Sequence, residues 1–154
     1  MKNLIILTFI FSLSASTFVS AQSKPTQKET FQGTYNAMKA LVKSKKFKYV
    51  GEVVFEGFER ERLNNEDESN CLTIEDSKAT GLIFDLGEDD RATLIMDKII
   101  NYSVNFNDDL QNISIAFAVN KIKILIDIKP NGNAFLTIKN GIKDITQMGK
   151  LQAL

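Results

Sequence analysis

Ile113-Ser114-Ile115-Ala116-Phe117-Ala118-Val119, then Asn120-Lys121, then Ile122-Lys123-Ile124-Leu125-Ile126-Asp127-Ile128 is the stretch that decides the fold. In each half an apolar side chain recurs at every second position, the period of a strand with one face buried. The step from Val119 to Ile122 is three, so one unbroken strand would throw one apolar set to the wrong face. A tight turn at Asn120-Lys121 repairs the phase, as would a bulge. The turn is the favoured reading.

The pattern extends in both directions. Downstream, Lys129-Pro130-Asn131-Gly132-Asn133 reads as a hairpin whose Asn-Gly supplies the positive φ of a type I′ turn. Ala134, Leu136 and Ile138 resume one face, Asn140-Gly141 makes another such turn, and Ile142, Ile145 and Met148 close the sheet more weakly. Upstream, Ile100, Tyr102, Val104 and Phe106 alternate, as do Ala92, Leu94 and Met96, and Asn107-Asp108-Asp109 is turn chemistry. Strands are expected near 92–97, 99–106, 112–119, 122–129, 133–139 and 142–147.

Before this meander, Cys71–Ile74 and Ala79–Leu86 read as a hairpin, with Leu82, Phe84 and Leu86 on one face. Residues 56–69 are charged and asparagine-rich, which predicts a solvated loop that begins as a continued strand or is disordered. Phe47, Tyr49, Gly51, Val53 and Phe55 alternate into one buried face. Cys71 stands alone, so no internal disulfide can form, and it reads as a buried small hydrophobe.

Ahead of the strands lies a helix over about 27–45. Thr26-Gln27-Lys28-Glu29 is a capping box, and Phe31, Tyr35, Met38, Leu41 and Val42 form one apolar stripe. Lys39, Lys43, Lys45 and Lys46 load its C-terminal half, where cations suit the helix dipole. The expected class is α+β: an N-terminal helix packed on a curved or rolled antiparallel β meander of about 7–9 strands. The helix could cover an open face or plug the mouth of a rolled sheet.

Residues 1–21 read as a secretory leader. Lys2 supplies the positive start, Leu4–Leu13 the apolar run, and Val19-Ser20-Ala21 the small residues before a cut between Ala21 and Gln22. Ser12, Ser14, Ser16 and Thr17 break the run before the roughly 20 apolar residues a spanning helix needs. The expectation is a periplasmic or secreted chain, residues 22–154, forming one domain that does not span the membrane after processing. With 19 basic and 19 acidic residues in the full sequence, it lacks the electrostatic footprint of a nucleic-acid binder.

Ala40-Leu41-Val42-Lys43-Ser44-Lys45-Lys46-Phe47, Leu72-Thr73-Ile74-Glu75-Asp76-Ser77 followed by Ala79 and Leu82, and Asn101-Tyr102 are the first marks of a family likeness. The run Ile113–Val119, the stretch Asn131-Gly132-Asn133-Ala134-Phe135-Leu136-Thr137-Ile138, and a closing Ile145–Leu151 with Gly149 complete it. On these residues the chain resembles secreted Gram-negative bacterial proteins grouped as domain of unknown function 4251. The likeness covers roughly 37–151 and implies export and fold. It brings no activity. Two departures stand out: Leu82-Ile83-Phe84-Asp85-Leu86-Gly87 replaces a Pro-aromatic-Gly element, and the usual aromatic near Gln147 is missing.

The chain has no histidine, which removes Ser-His-acid and Cys-His catalysis and His-based zinc sites. One cysteine removes thiolate zinc clusters. Carboxylates remain: Glu66-Asp67-Glu68, Asp85 with Glu88-Asp89-Asp90, and Asp108-Asp109. Oxygen-rich loops of this kind suit calcium, yet the 85–90 run does not match EF-hand spacing and reads as a solvated turn. Phe135 falls opposite in phase to Ala134, Leu136 and Ile138, so it is an exposed aromatic or a cross-strand partner on a second face. Asp85, Glu88, Asp89, Asp90 and Phe135 are thus the surface-site candidates. No cofactor, metal or catalytic residue is expected.

The expected function is a non-enzymatic exported module that binds a small ligand, glycan or envelope protein. The alternatives are a structural or chaperone-like envelope protein presenting a sheet edge, and a carboxylate-only hydrolase. The sequence is silent on oligomeric state.

Overall fold

The computed structural model describes residues 25–63, 69–86, 92–141 and 144–154. The leader with its Ala21/Gln22 cut, the Glu66–Glu68 run, Glu88, Asp89, Asp90 and Ile142 lie outside the described residues. Among those described, no helix is long and apolar enough to cross a membrane.

Helix α1 (Gln27–Ser44) starts where its capping box places it. The Glu29 amide donates to Thr26 Oγ1 at 3.2 Å, and the Thr26 amide donates to Glu29 Oε2 at 2.7 Å. The helix stops at Lys45, which turns left-handed (φ 53°) and donates its N–H to the Val42 carbonyl. Tyr35 and Val42 are buried, with Phe31, Met38 and Leu41 half-buried beside them, so the apolar stripe is the face that packs.

Nine strands follow: β1 (Lys46–Glu56), β2 (Glu59–Arg62), β3 (Cys71–Glu75), β4 (Lys78–Phe84), β5 (Ala92–Asn107), β6 (Asn112–Val119), β7 (Ile122–Ile128), β8 (Asn133–Lys139) and β9 (Asp144–Ala153). From β3 onward each strand pairs antiparallel with the next, and β9 pairs back onto β1 from Phe47↔Ala153 to Phe55↔Thr146. The meander is therefore closed, a barrel of eight strands with β2 outside the ring. Along one edge of β1, β3 pairs with Lys46–Val50 and β2 with Val53–Glu56. The closing seam passes through Gly51 opposite Gly149. A Cβ built on Gly149 would lie 2.0 Å from the Val50 carbonyl oxygen, so the two backbones meet where no larger residue fits.

An eight-stranded ring leaves an interior that side chains can fill. Phe47, Tyr49, Leu72, Ile74, Ile83, Ile95, Ile113, Ile115, Ile124, Ile126 and Leu136 fill it and are all but inaccessible. Each large apolar side chain so buried contributes about 1.5–3 kcal/mol. Helix α1 lies across the barrel end where the β3–β4, β5–β6 and β7–β8 turns gather. Tyr35 Oη donates to Asp108 Oδ1 at 2.6 Å, Gln111 Nε2 donates to the Lys28 carbonyl at 3.0 Å, and the Asp76 amide donates to the Lys45 carbonyl at 2.8 Å.

Several sequence expectations are corrected. The strands expected at 92–97 and 99–106 are one strand, β5, with a register shift between Ile100 and Ser103. Asn101, at φ 56°, is the pivot. Ile95 is therefore inside, while Leu94, Met96 and Ile100 are exposed. A second shift between Gly51 and Val53 turns Val54 inward and leaves Val53 and Phe55 on the outer wall. In β4 the inward residues are Ala79 and Ile83, not Leu82 and Phe84. The 56–69 stretch contains β2, whose four residues are all exposed. The last strand begins at Asp144, and Gln147 faces inward where Met148 was expected. Cys71 is half-buried, since its neighbour Leu72 takes the inward position.

The turns also differ in kind. Between β7 and β8 only Gly132 has positive φ (84°), and its N–H donates to the Lys129 carbonyl at 2.9 Å. Pro130 and Asn131 are the central residues of that turn. The left-handed Gly132 forms the bulge of a three-residue hairpin, in place of a type I′ turn. At Asn140-Gly141, too, the glycine alone is left-handed. Asn120-Lys121 forms the expected tight turn, with Val119 paired to Ile122.

Candidate functional site

The shift after Gly51 builds a groove on the barrel's outer wall. Once Val54 has turned inward, Val53 and Phe55 point out. On β9 the inward set is Ile145, Gln147, Gly149 and Leu151, which leaves Met148 outside. On β8 the inward set is Ala134, Leu136 and Ile138, which leaves Phe135 outside. Register then brings these outer residues together, because directly opposed residues share a face. Val53 lies opposite Met148, and Met148 opposite Phe135. On the other side of β1, Arg62 lies opposite Val53 and Arg60 opposite Phe55.

The result is a depression of about 670 Å³ floored by Val53, Phe55, Met148 and Phe135 and walled by Arg60, Glu61, Arg62 and Glu52. That volume falls in the range of sites that hold small molecules. The four floor residues are each half-buried. Glu52 is matched by Lys150, whose Nζ lies 3.6 Å from its Oε1. Lys129 Nζ sits 5.9 Å from the Phe135 ring centroid. A smaller depression of about 290 Å³ lies on the outer wall of β6–β8, where Ala116, Ala118, Lys123, Leu125 and Lys139 are among its lining.

Of the site candidates read from sequence, Phe135 lies in the groove. Asp85 does not line it; its side chain is half-buried and the residue is bonded within the chain. Glu88, Asp89 and Asp90 fall outside the described residues. Asp108 and Asp109 fasten α1 to the barrel. Lys39 Nζ reaches Asp108 Oδ1 at 2.5 Å, and Lys28 Nζ lies 3.6 Å from Asp109 Oδ1. The Lys39 and Tyr35 hydrogen bonds hold the Asp108 carboxyl below the usual carboxylate range. Burial, then the Asp108 carboxylate, pushes the Tyr35 hydroxyl up to about 12. The basic cluster at the helix end packs on aromatics: Lys39 and Lys43 over Phe106, and Lys45 over Tyr102. Phe58, in the β1–β2 turn, is fully exposed and outside the groove.

Sequence alternation assigned Val53, Phe55 and Met148 to the core. The signal that could have corrected this is Gly51, since a glycine inside a strand often marks a bulge or a close backbone approach.

No family model matches the chain, and no curated protein matches it. Among solved structures, the 1.95 Å crystal structure of a DUF4251 family protein from Bacteroides eggerthii superposes with a TM-score of 0.63. It is 16% identical, and the match covers 79% of this chain and 88% of that one. The likeness is one of fold, and it agrees with the resemblance read from the sequence.

Proposed function

We propose that this chain is an exported, non-enzymatic recognition module that binds the apolar part of a ligand or envelope partner in the groove between β2 and β8. One observation carries the reading: four apolar side chains from β1, β8 and β9 are gathered, half-exposed, into a single depression with charged walls. The barrel interior is taken up by large side chains, so recognition falls to the outer wall. Export rests on the leader, and N-terminal sequencing of the protein from periplasm or medium should begin at Gln22.

Titration with octanol, octanoate and octylamine, followed by amide and methyl NMR shifts, tests the groove. Shifts should centre on Val53, Phe55, Phe135 and Met148, and Met148→Asp should abolish them while circular dichroism stays unchanged. If none of the three probes perturbs these residues, the reading is wrong. The sheet-edge alternative is less well supported. Closure leaves β2 with one unpaired edge among the described residues, and its Glu59-Arg60-Glu61-Arg62 sequence is the charged kind that discourages strand addition.

A further inference from the structure

The groove is apolar along its floor but not neutral at its ends. Arg60 and Arg62 stand two residues apart on one strand, so both guanidinium groups project on the face that carries Val53 and Phe55. Their spacing along β2 is about 6.6 Å. Among the described residues neither guanidinium has an ion pair or a ring contact. Lys129 adds a third cation beside Phe135, across the floor. Of the wall carboxylates, Glu52 is matched by Lys150. Glu61 lines the groove between Arg60 and Arg62 on β2. The two guanidinium groups on β2 thus outnumber the carboxylate between them, while Lys129 stands with Asp127, the residue opposite Phe135 on β7, so the excess positive charge lies at the β2 wall.

Resting on the groove reading above, we propose that the occupant is an anionic amphiphile: an alkyl or acyl chain lying on Val53, Phe55, Met148 and Phe135, with its carboxylate against Arg60 and Arg62. A planar guanidinium offers paired donors that match a carboxylate's two oxygens. A second arginine in reach gives the head group more than one geometry in which to bind.

Calorimetric titration of the processed chain with octanoate, octanol and octylamine at low salt, below the concentrations at which they aggregate, tests this. Octanoate should bind roughly tenfold more tightly than octanol, one charge-assisted contact's worth, and octylamine more weakly than either. The octanoate preference should shrink at 1 M salt, where charges are screened within about 3 Å. It should vanish in Arg60→Ala/Arg62→Ala, which should still bind octanol. Equal binding of octanol and octanoate, or a preference kept by the double variant, overturns the anionic occupant and leaves the apolar groove standing. Binding of no probe overturns both.

Discussion

Gln147 and Asn70, 77 residues apart in the chain, exchange two hydrogen bonds through their side-chain amides inside the barrel. Asn70 Nδ2 donates to Gln147 Oε1 at 3.0 Å, and Gln147 Nε2 donates to Asn70 Oδ1 at 3.1 Å. The pair also meets the backbone of Phe84: its N–H donates to Asn70 Oδ1, and Gln147 Nε2 donates to its carbonyl. Two buried amides thus tie β9, the approach to β3 and the end of β4 at the level of Gly51.

Removing either amide should therefore be expensive. Gln147→Leu leaves the Asn70 amide and the Phe84 carbonyl short of partners, and Asn70→Ala leaves the Phe84 N–H without its acceptor. Each should lower unfolding free energy by about 1–3 kcal/mol in urea titrations. The double variant should lose less than the sum, with a coupling of about 0.5–3 kcal/mol. Strict additivity would show that the amides do not act as a pair.

Neighbouring apolar residues on β5 should behave in opposite ways. Ile95 is 1% exposed, while Leu94 and Met96 are 62% and 66% exposed. Ile95→Ala should cost about 2–5 kcal/mol. Leu94→Ala and Met96→Ala should stay within about 0.5 kcal/mol of the parent. Comparable losses at all three positions would mean that the strand faces are misassigned.

All three tyrosines should resist ionisation while the chain is folded. Burial raises the hydroxyl of Tyr49, with a further push from Glu52, and burial raises that of Tyr102; Tyr35 is pushed up to about 12. A folded-state value above the unfolded one, near 10, gives stability that is complete below pH 10. It is lost as pH rises above 10, because the unfolded chain releases the proton first. Ultraviolet titration should show little tyrosinate at pH 10, then a cooperative rise coincident with loss of the β circular-dichroism signal. Ordinary titration centred on pH 10 with the fold intact would contradict the burial of these rings.

The seam depends on Gly149. In Gly149→Ala the new methyl meets the Val50 carbonyl oxygen and must force β9 away from β1. The expected loss is about 1–3 kcal/mol or more, with hydrogen-exchange protection falling first in residues 47–55 and 144–153. Unchanged protection there would show that the two strands tolerate separation.

Much of the fold was legible because β6, β7 and β8 alternate without interruption and their turns carry Asn or Gly. Strand count, helix span and the helix's packing face follow from such local patterns. The errors sit at the two register shifts. Alternation alone makes Ile100 the partner of Tyr102, yet the left-handed Asn101 inserts a step that sends Ile99 inward and Ile100 out. The shift at Gly51 did the same to Val53 and Phe55. The groove was less legible still. Its floor comes from β1, β8 and β9, and only closure of the ring makes β1 and β9 neighbours; Phe135 alone announced itself, by standing out of phase.

From β3 to β9 every pairing joins strands adjacent along the polypeptide, while β1 and β9 lie near its opposite ends. The ladder can thus grow hairpin by hairpin at little entropic expense, and the ring is completed by the contact with the longest loop to close. Until β9 has emerged, a nascent chain carries an open ribbon with two adhesive borders, the species most prone to associate with its own kind. Truncation before residue 144 should therefore yield aggregate instead of a smaller soluble domain.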